Sequence, residues 1–321
     1  MSYVNLPFFI ARRYLVKQKG AFSSFIIRLA IIATALSVAV MIVAMAIVMG
    51  FQYTITEKLY SFMGHVHVVP YNNTGSASLT YGEPIHMEPG LLKRMRAIPH
   101  ARSVAPFAVR PVIIQAHGQL EGVQLKGVDK DYRFPEGIAL TGARIDYSDT
   151  FYSKQVILSQ TTADRMNIMC GDTVQLNFID KGTPRIRKLK VAGLYHSGME
   201  EVDKYFGLCD LRLLQRMNNW PADSINGYQL DLDNEAYADT VSGYIHYNLL
   251  QPPAEAYTTK ENYSILFDWL DMQRVNGAVL LAIMAIVSII NMGAVLLILI
   301  VDRAKMIGLL KALGMQFSDT R

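Results

Sequence analysis

Two stretches of this chain carry no charged side chain, Leu29 to Thr56 and Val275 to Val301, and nothing else in the sequence limits the fold as strongly. A helix rises ~1.5 Å per residue and a bilayer core is ~30 Å thick, so ~20 apolar residues suffice to cross it. Both stretches run past that length, which predicts helices that continue beyond the lipid as stalks. The first is about twice as long as the ~7 to 15 apolar residues of a secretory signal, and no small-x-small site closes it. It reads as an uncleaved anchor.

Lys and Arg close to the spans set the orientation. Arg12, Arg13, Lys17, Lys19 and Arg28 precede the first span with no acid among them, and Arg303, Lys305, Lys311 and Arg321 follow the second, against Asp302 and Asp319. Both ends are therefore expected in the cytoplasm and the long segment between the spans outside. That segment has more acid than base, so the formal net charge of +4 comes from the membrane flanks. It is an orientation signal, and no nucleic-acid partner is expected. Cys170 and Cys209 both lie in the outer segment. A disulfide and two free thiols fit the sequence equally.

The expected architecture is a membrane protein of α+β class: two transmembrane helices with stalk extensions flank a large extracytoplasmic domain of two α+β subdomains. Residues 1–28 read as a cationic amphipathic segment on the inner membrane face, with Phe8, Phe9, Ile10 and Leu15 as its apolar side. Residues 29–62 are the first span and stalk, 63–260 the outer domain, 261–301 the second stalk and span, and 302–321 a cytoplasmic segment. Within the outer domain, 63–118 and 222–260 each read as strand and helix units and form one subdomain. The β-rich stretch 119–221 is inserted between them. In "ENYSILFDWLDMQRV", Tyr263, Leu266, Phe267 and Leu270 fall at helical spacing, and no Pro or Gly separates them from Val275. One helix is expected to run from the outer domain into the bilayer.

Catalytic signatures are missing. There is no G-x-x-x-x-G-K-(S/T) loop to cradle nucleotide phosphates, no H-E-x-x-H and no paired C-x-x-C. His65 and His67 in "HVH" share a strand face and are two metal ligands at most. His196 beside Ser197 is adjacency without triad geometry. Glu200, Glu201 and Asp203 in "SGMEEVD" read as a solvated acidic loop, with a cation or basic partner as the other reading. Ser288 and Asn291, near the middle of the second span, fit interhelical hydrogen bonds better than a transport site.

After the second span, "DRAKMIGLLKALGMQ" sets Met306, Leu309, Leu310 and Leu313 in one apolar stripe, with Arg303, Lys305 and Lys311 off it and Gly314 as a C-cap. This describes a short amphipathic helix that can dock in a groove or rest on lipid. The string "MIGLLKALG" resembles the coupling-helix region of FtsX-like ABC transporter permeases, whose usual pattern is E-I-G-(I/L)-L-(K/R)-A-L-G; Met306 stands where many members have Glu. "FFIARRYL", "SVAVMIVAMAIVMGFQ" and "GHVHVVPY" are similar to the start of the lipoprotein-releasing (Lol-type) permeases of that family. "VAGLYHSGMEEVDKYFGLCDL" is similar to its G-x-(F/Y)-x-S-G-x-x-x-x-D region, and "LFDWLDMQRVN" to its approach to the second span.

The resemblance implies a non-catalytic permease subunit in the bacterial inner membrane, without a cofactor. A separate cytoplasmic ABC ATPase would dock on Met306, Ile307, Leu309, Leu310, Lys311, Leu313 and Gly314. A second permease subunit would form a homo- or heterodimer with it, and a lipoprotein or periplasmic chaperone would be the outer partner. The hairpin nearest the family's projecting one, "NFIDKGTPRIRKL", is short. The family pattern has four spans, and the sequence is expected to stop before the last two. A two-span membrane sensor with a periplasmic sensing domain is the alternative reading.

Overall fold

The computed structural model describes residues 22–71, 84–178 and 185–312. It separates into two compact units, Met1–Gln52 with Trp269–Arg321, and Tyr53–Asp268. The predicted segment 1–28 lies mostly outside the described residues.

The first unit is built on two helices, α1 (Phe22–Met63) and the last helix of the chain, Ser264–Ala312. Both are long and apolar enough to cross a membrane. The half-buried positions of α1 include Thr34, Ser37, Met41, Ala44 and Val48, and those of the last helix include Leu281, Met284, Ser288, Asn291 and Val295. Alternating steps of three and four define one seam on each helix. The side chains in these seams are mostly small or flexible, as suits close packing in lipid. Phe51 meets Trp269 edge to face at 6.0 Å, and Gln52 donates from Nε2 to the Leu270 carbonyl at 2.8 Å. Away from the seams, Ile31, Ile42, Ile47, Ile283, Ile290 and Leu297 are exposed, the surface expected of helices surrounded by acyl chains.

The second unit is an α+β domain around a mixed sheet. Its strands are β1 (Val66–Pro70), β2 (Ile85–His86), β3 (Ala101–Ala116), β4 (Gln119–Val128), β5 (Ala139–Gly142), β6 (Gln155–Ser159), β7 (Thr173–Phe178), β8 (Arg185–His196), β9 (Phe206–Asp210), β10 (Ser224–Ile225), β11 (Gly227–Leu232) and β12 (Ala254–Thr258). The main order is β12-β1-β11-β3-β4-β9-β6-β8-β5. Because β7 pairs antiparallel with both β3 and β8, the strands β3-β4-β9-β6-β8-β7 close into a six-stranded barrel. Closure leaves these strands without a free edge where they pair. The alternation in β7, with Val174, Leu176 and Phe178 buried between exposed or half-buried neighbours, points the apolar set inward, where Val112, Ile114, Val123, Leu125 and Leu158 meet it.

Short helices follow the strands: α2 (Pro89–Arg96), α3 (Gln160–Met166), α4 (Glu200–Tyr205), α5 (Leu211–Met217), α6 (Ala238–Asn248) and α7 (Thr259–Asn262), so that Ser264–Ala312 is α8. Their starts are written in polar caps. Ser159 accepts from the Thr162 amide at 3.0 Å, Asp210 accepts from the Arg212 amide at 2.9 Å, and Thr258 with Glu261 forms a reciprocal capping box. Helices α2 and α6 each turn an i, i+4 pair, Leu91 with Met95 and Val241 with Ile245, into the core shared with β1 and β11.

Three features differ from the sequence expectation. The segment 63–118, expected as a strand and helix unit, ends in one long strand, β3, turned into β4 at His117 and Gly118, both with positive φ. Pro106 and Pro111 lie inside β3 and make it read as broken. Strands β2, β5, β9, β10 and β12 carry no readable period of two. The long helix α8 starts at Ser264, and Tyr263 precedes it as a non-helical joint at the end of α7.

Candidate functional site

The described feature with the most unusual chemistry is the exit of α1 into the domain. The last turns bury Leu59, Tyr60, Phe62 and Met63 in a cluster with Ile157, Tyr195, Val202, Phe206, Leu208 and Phe267. Gly64 then reverses the chain at φ +84°, its amide bonded to the Tyr60 carbonyl at 2.7 Å. A Cβ at this position would sit 2.4 Å from Gln229 Cγ, so glycine is required by both conformation and space.

A helix end inside a core leaves carbonyls without partners unless side chains reach them. Here Lys126 Nζ donates to the Phe62 carbonyl at 2.8 Å, Thr259 Oγ1 to the Gly64 carbonyl at 2.5 Å, and the Thr259 amide to the His65 carbonyl at 2.9 Å. The His67 ring reaches the Met63 carbonyl. Cationic or donating groups at a helix C-terminus also match its dipole.

Lys126 is 3% exposed, and its ammonium lies 5.2 Å from the Phe62 ring centre and 5.6 Å from that of Tyr132. Its other acceptor is Gln229 Oε1, whose amide nitrogen donates to Asp231 at 3.1 Å; Ser103 Oγ donates to the same carboxylate at 2.6 Å. Burial pushes the Lys126 amine down to about 8, against the pull of Asp231. Burial, reinforced by the Lys126 charge, pushes His67 down to about 3, so this imidazole is neutral, and its Nδ1 has no hydrogen-bond partner among the described residues.

The family-like motif "GLYHSGMEEVD" builds the other wall. The Tyr195 hydroxyl donates to the carbonyls of Val202 at 3.1 Å and Phe206 at 2.8 Å, and its ring lies 5.6 Å from Phe62. Asp203 is buried and accepts from the Ser197 amide at 2.9 Å, Ser197 Oγ at 2.7 Å and the Gly198 amide at 3.2 Å, with His196 Nδ1 at 3.2 Å. Gly198, at φ +72°, lies where the tip of the Lys58 side chain of α1 reaches this turn, and it is the left-handed backbone that requires glycine. The second stalk root joins the same cluster through Tyr263, whose hydroxyl reaches Met63 Sδ at 3.5 Å, and through Phe267, 5.7 Å from Tyr60. The arrangement is a socket that fixes two helix ends against a barrel.

Several residues picked out in the sequence fall elsewhere than expected. Asp203 is not part of a solvated acidic loop, because its carboxylate is the buried knot of the 197–203 turn; Glu200 is exposed. Ser197 and His196 both bind Asp203 instead of each other, so no nucleophile is joined to a base. His65 stacks on Tyr60 at 4.5 Å and its Nδ1 accepts from the Leu232 amide at 3.1 Å, which uses the lone pair a metal would need. Among the described residues no group of three His, Cys, Asp or Glu is placed to hold a metal. Cys170 is exposed and Cys209 buried, both as free thiols, and burial raises the Cys209 thiol well above its usual range. Met306, Ile307, Leu309, Leu310 and Lys311 fall in the run of α8 to Ala312, but their side chains lie outside the described set, as do Leu313 and Gly314 entirely.

The sequence reading passed over Lys126 and Gln229. The only signal for Lys126 was a lone cation in the alternating apolar strand "GVQLKGV".

A family model described as the MacB-like periplasmic core domain matches residues 28–245. The chain belongs to that family. It is an ABC transporter permease of the MacB, FtsX and LolC type, with an α+β periplasmic domain between two apolar helices. This membership replaces the two-span sensor reading. The lipoprotein-releasing system transmembrane protein LolC of Xylella fastidiosa is 24% identical over 315 residues, covering 95% of this chain and 73% of the relative. The corresponding LolE protein of Haemophilus influenzae is 22% identical over 325 residues, covering 97% and 75%. The crystal structure of the periplasmic region of MacB from Actinobacillus actinomycetemcomitans superposes with a TM-score of 0.44 at 12% identity, over 63% of this chain and 91% of that one.

Proposed function

We propose that this chain is the permease subunit of an inner-membrane transporter that converts ATP hydrolysis by a separate cytoplasmic ATPase into movement of its periplasmic domain, for lipoprotein release or related export. The observation that carries the reading is the alignment with lipoprotein-releasing relatives over 95% and 97% of the chain. In this reading both termini are cytoplasmic, a second permease subunit completes the membrane pair, and a lipoprotein or periplasmic chaperone meets the outer domain. The chain itself is non-catalytic. The division of the outer domain into 63–118 with 222–260 and an insert at 119–221 belongs to the same proposal.

The ATPase docks on the stripe Met306, Leu309, Leu310 and Leu313, with Ile307, Lys311 and Gly314 completing the element. Since α8 is one helix from Ser264 to Ala312, a displacement at the stripe travels along a continuous rod. Each apolar side chain that enters a groove contributes ~1.5 to 3 kcal/mol when fully desolvated. Replacing Leu309 and Leu310 together by Asp removes two such contacts and places charge in the groove. The double variant of the full-length protein is expected to insert and fold normally and to lose co-purification with the ATPase. Undiminished association at several salt concentrations would refute the docking role.

A further inference from the structure

Lys126 is used neither by the helix seam nor by the ATPase-docking stripe. It sits near the C-terminal end of β4, paired with Val109 of β3 on one side and Leu208 of β9 on the other, so its backbone is fixed within the closed barrel. Its side chain crosses to a different element and ends on a carbonyl of the last turn of α1. We propose that Lys126 is a positioning residue that ties β4 to the end of α1, so that displacement of this helix passes into the barrel instead of being lost in a frayed helix terminus. The proposal rests on the reading of the chain as a force-transmitting permease.

Three observations support the tie. Without Lys126 the Phe62 carbonyl would be an orphan of the helix end in a dry core, since Phe62 is fully buried. The other groups facing the amine are Gln229 and Asp231 from β11, His67 from β1 and Tyr132 from the segment after β4. Among the described residues no carboxylate touches the amine, and burying it opposes its charge, so its place rests on these hydrogen bonds and not on an ion pair. The neutral amine still has two hydrogens for the Phe62 and Gln229 oxygens, so the tie does not depend on the charge.

The sign of the pH effect follows. The amine titrates near 8 in the fold and near 10.5 in the unfolded chain, so between those values the unfolded state holds more protons. Stability therefore rises with pH across that window.

The test is hydrogen exchange on the full-length protein in detergent, without any ATPase, comparing wild type with Lys126→Met and Lys126→Gln. At least tenfold faster exchange confined to amides 59–65, with the rise in unfolding midpoint between pH 8 and 10 abolished, is the expected result. Unchanged exchange at 59–65 overturns the tie. So does a uniform rise over the whole domain, or failure of both variants to fold, because either makes Lys126 a general core residue. Local fraying with undiminished coupling of ATP turnover to release in the assembled transporter would overturn the transmission role alone. Loss of the ATPase reading itself is reported separately by the Leu309 and Leu310 variant.

Discussion

Asp203 offers the sharpest test of the socket, because a solvated loop acid and a buried knot predict opposite outcomes for the same substitution. Asp203→Ala removes the acceptor for two backbone amides, one hydroxyl and an imidazole nitrogen. Hydrogen bonds to a charged group contribute ~1.5 to 3 kcal/mol each, and a buried donor left without a partner costs ~1 to 3 kcal/mol. These terms do not add, since the Ser197 hydroxyl can still turn toward the Met199 carbonyl at 3.4 Å and His196 is exposed. A net loss of ~3 to 5 kcal/mol is the scale for breaking such a buried charged centre. For a domain of this size ~1 kcal/mol moves the midpoint by ~2 to 4 °C, so a fall of ~6 to 20 °C is expected. Asp203→Asn keeps one oxygen but turns an amide toward the remaining donors, and should fall between wild type and Asp203→Ala. Thermal unfolding of the full-length protein in detergent, followed by near-ultraviolet circular dichroism, measures this. Glu200→Ala, at an exposed position of the same motif, is the control and should stay within ~0.5 kcal/mol of wild type. A midpoint for Asp203→Ala within ~2 °C of wild type would refute the buried-knot account.

Two further outcomes follow from the same structure. The buried neutral His67 titrates near 3 in the fold against 6.5 in the unfolded chain, so its stability is fully present above pH 6.5 and is lost as pH falls toward 3, by up to ~1.4 kcal/mol per pH unit; His67→Leu should flatten that slope in acid unfolding measurements, and an unchanged slope would place the loss elsewhere. A maleimide should modify exposed Cys170 rapidly in the folded protein and buried Cys209 only after unfolding, which mass spectrometry reads directly; equal rates would contradict the burial of β9.

The sequence by itself determined the two helices, most outer-domain strands and helices, and the family resemblance. These features are local: an unbroken apolar run, a period of two in "DTVQLNF", a serine or aspartate before a helix at Ser159 and Asp210. It also marked the residues of the "GLYHSGMEEVD" motif without revealing their work, because composition cannot tell an acid in water from one surrounded by donors. Only the tertiary structure decided that Asp203 is buried, that His65 and His67 pack at the exit of α1, and that β7 closes the barrel. Pairings such as β3 with β7, or Lys126 with Phe62, join residues far apart in the chain, and their partners are chosen by packing. A lone lysine in an alternating strand looks like a solvent-facing residue until the helix end that needs its proton donor is placed beside it.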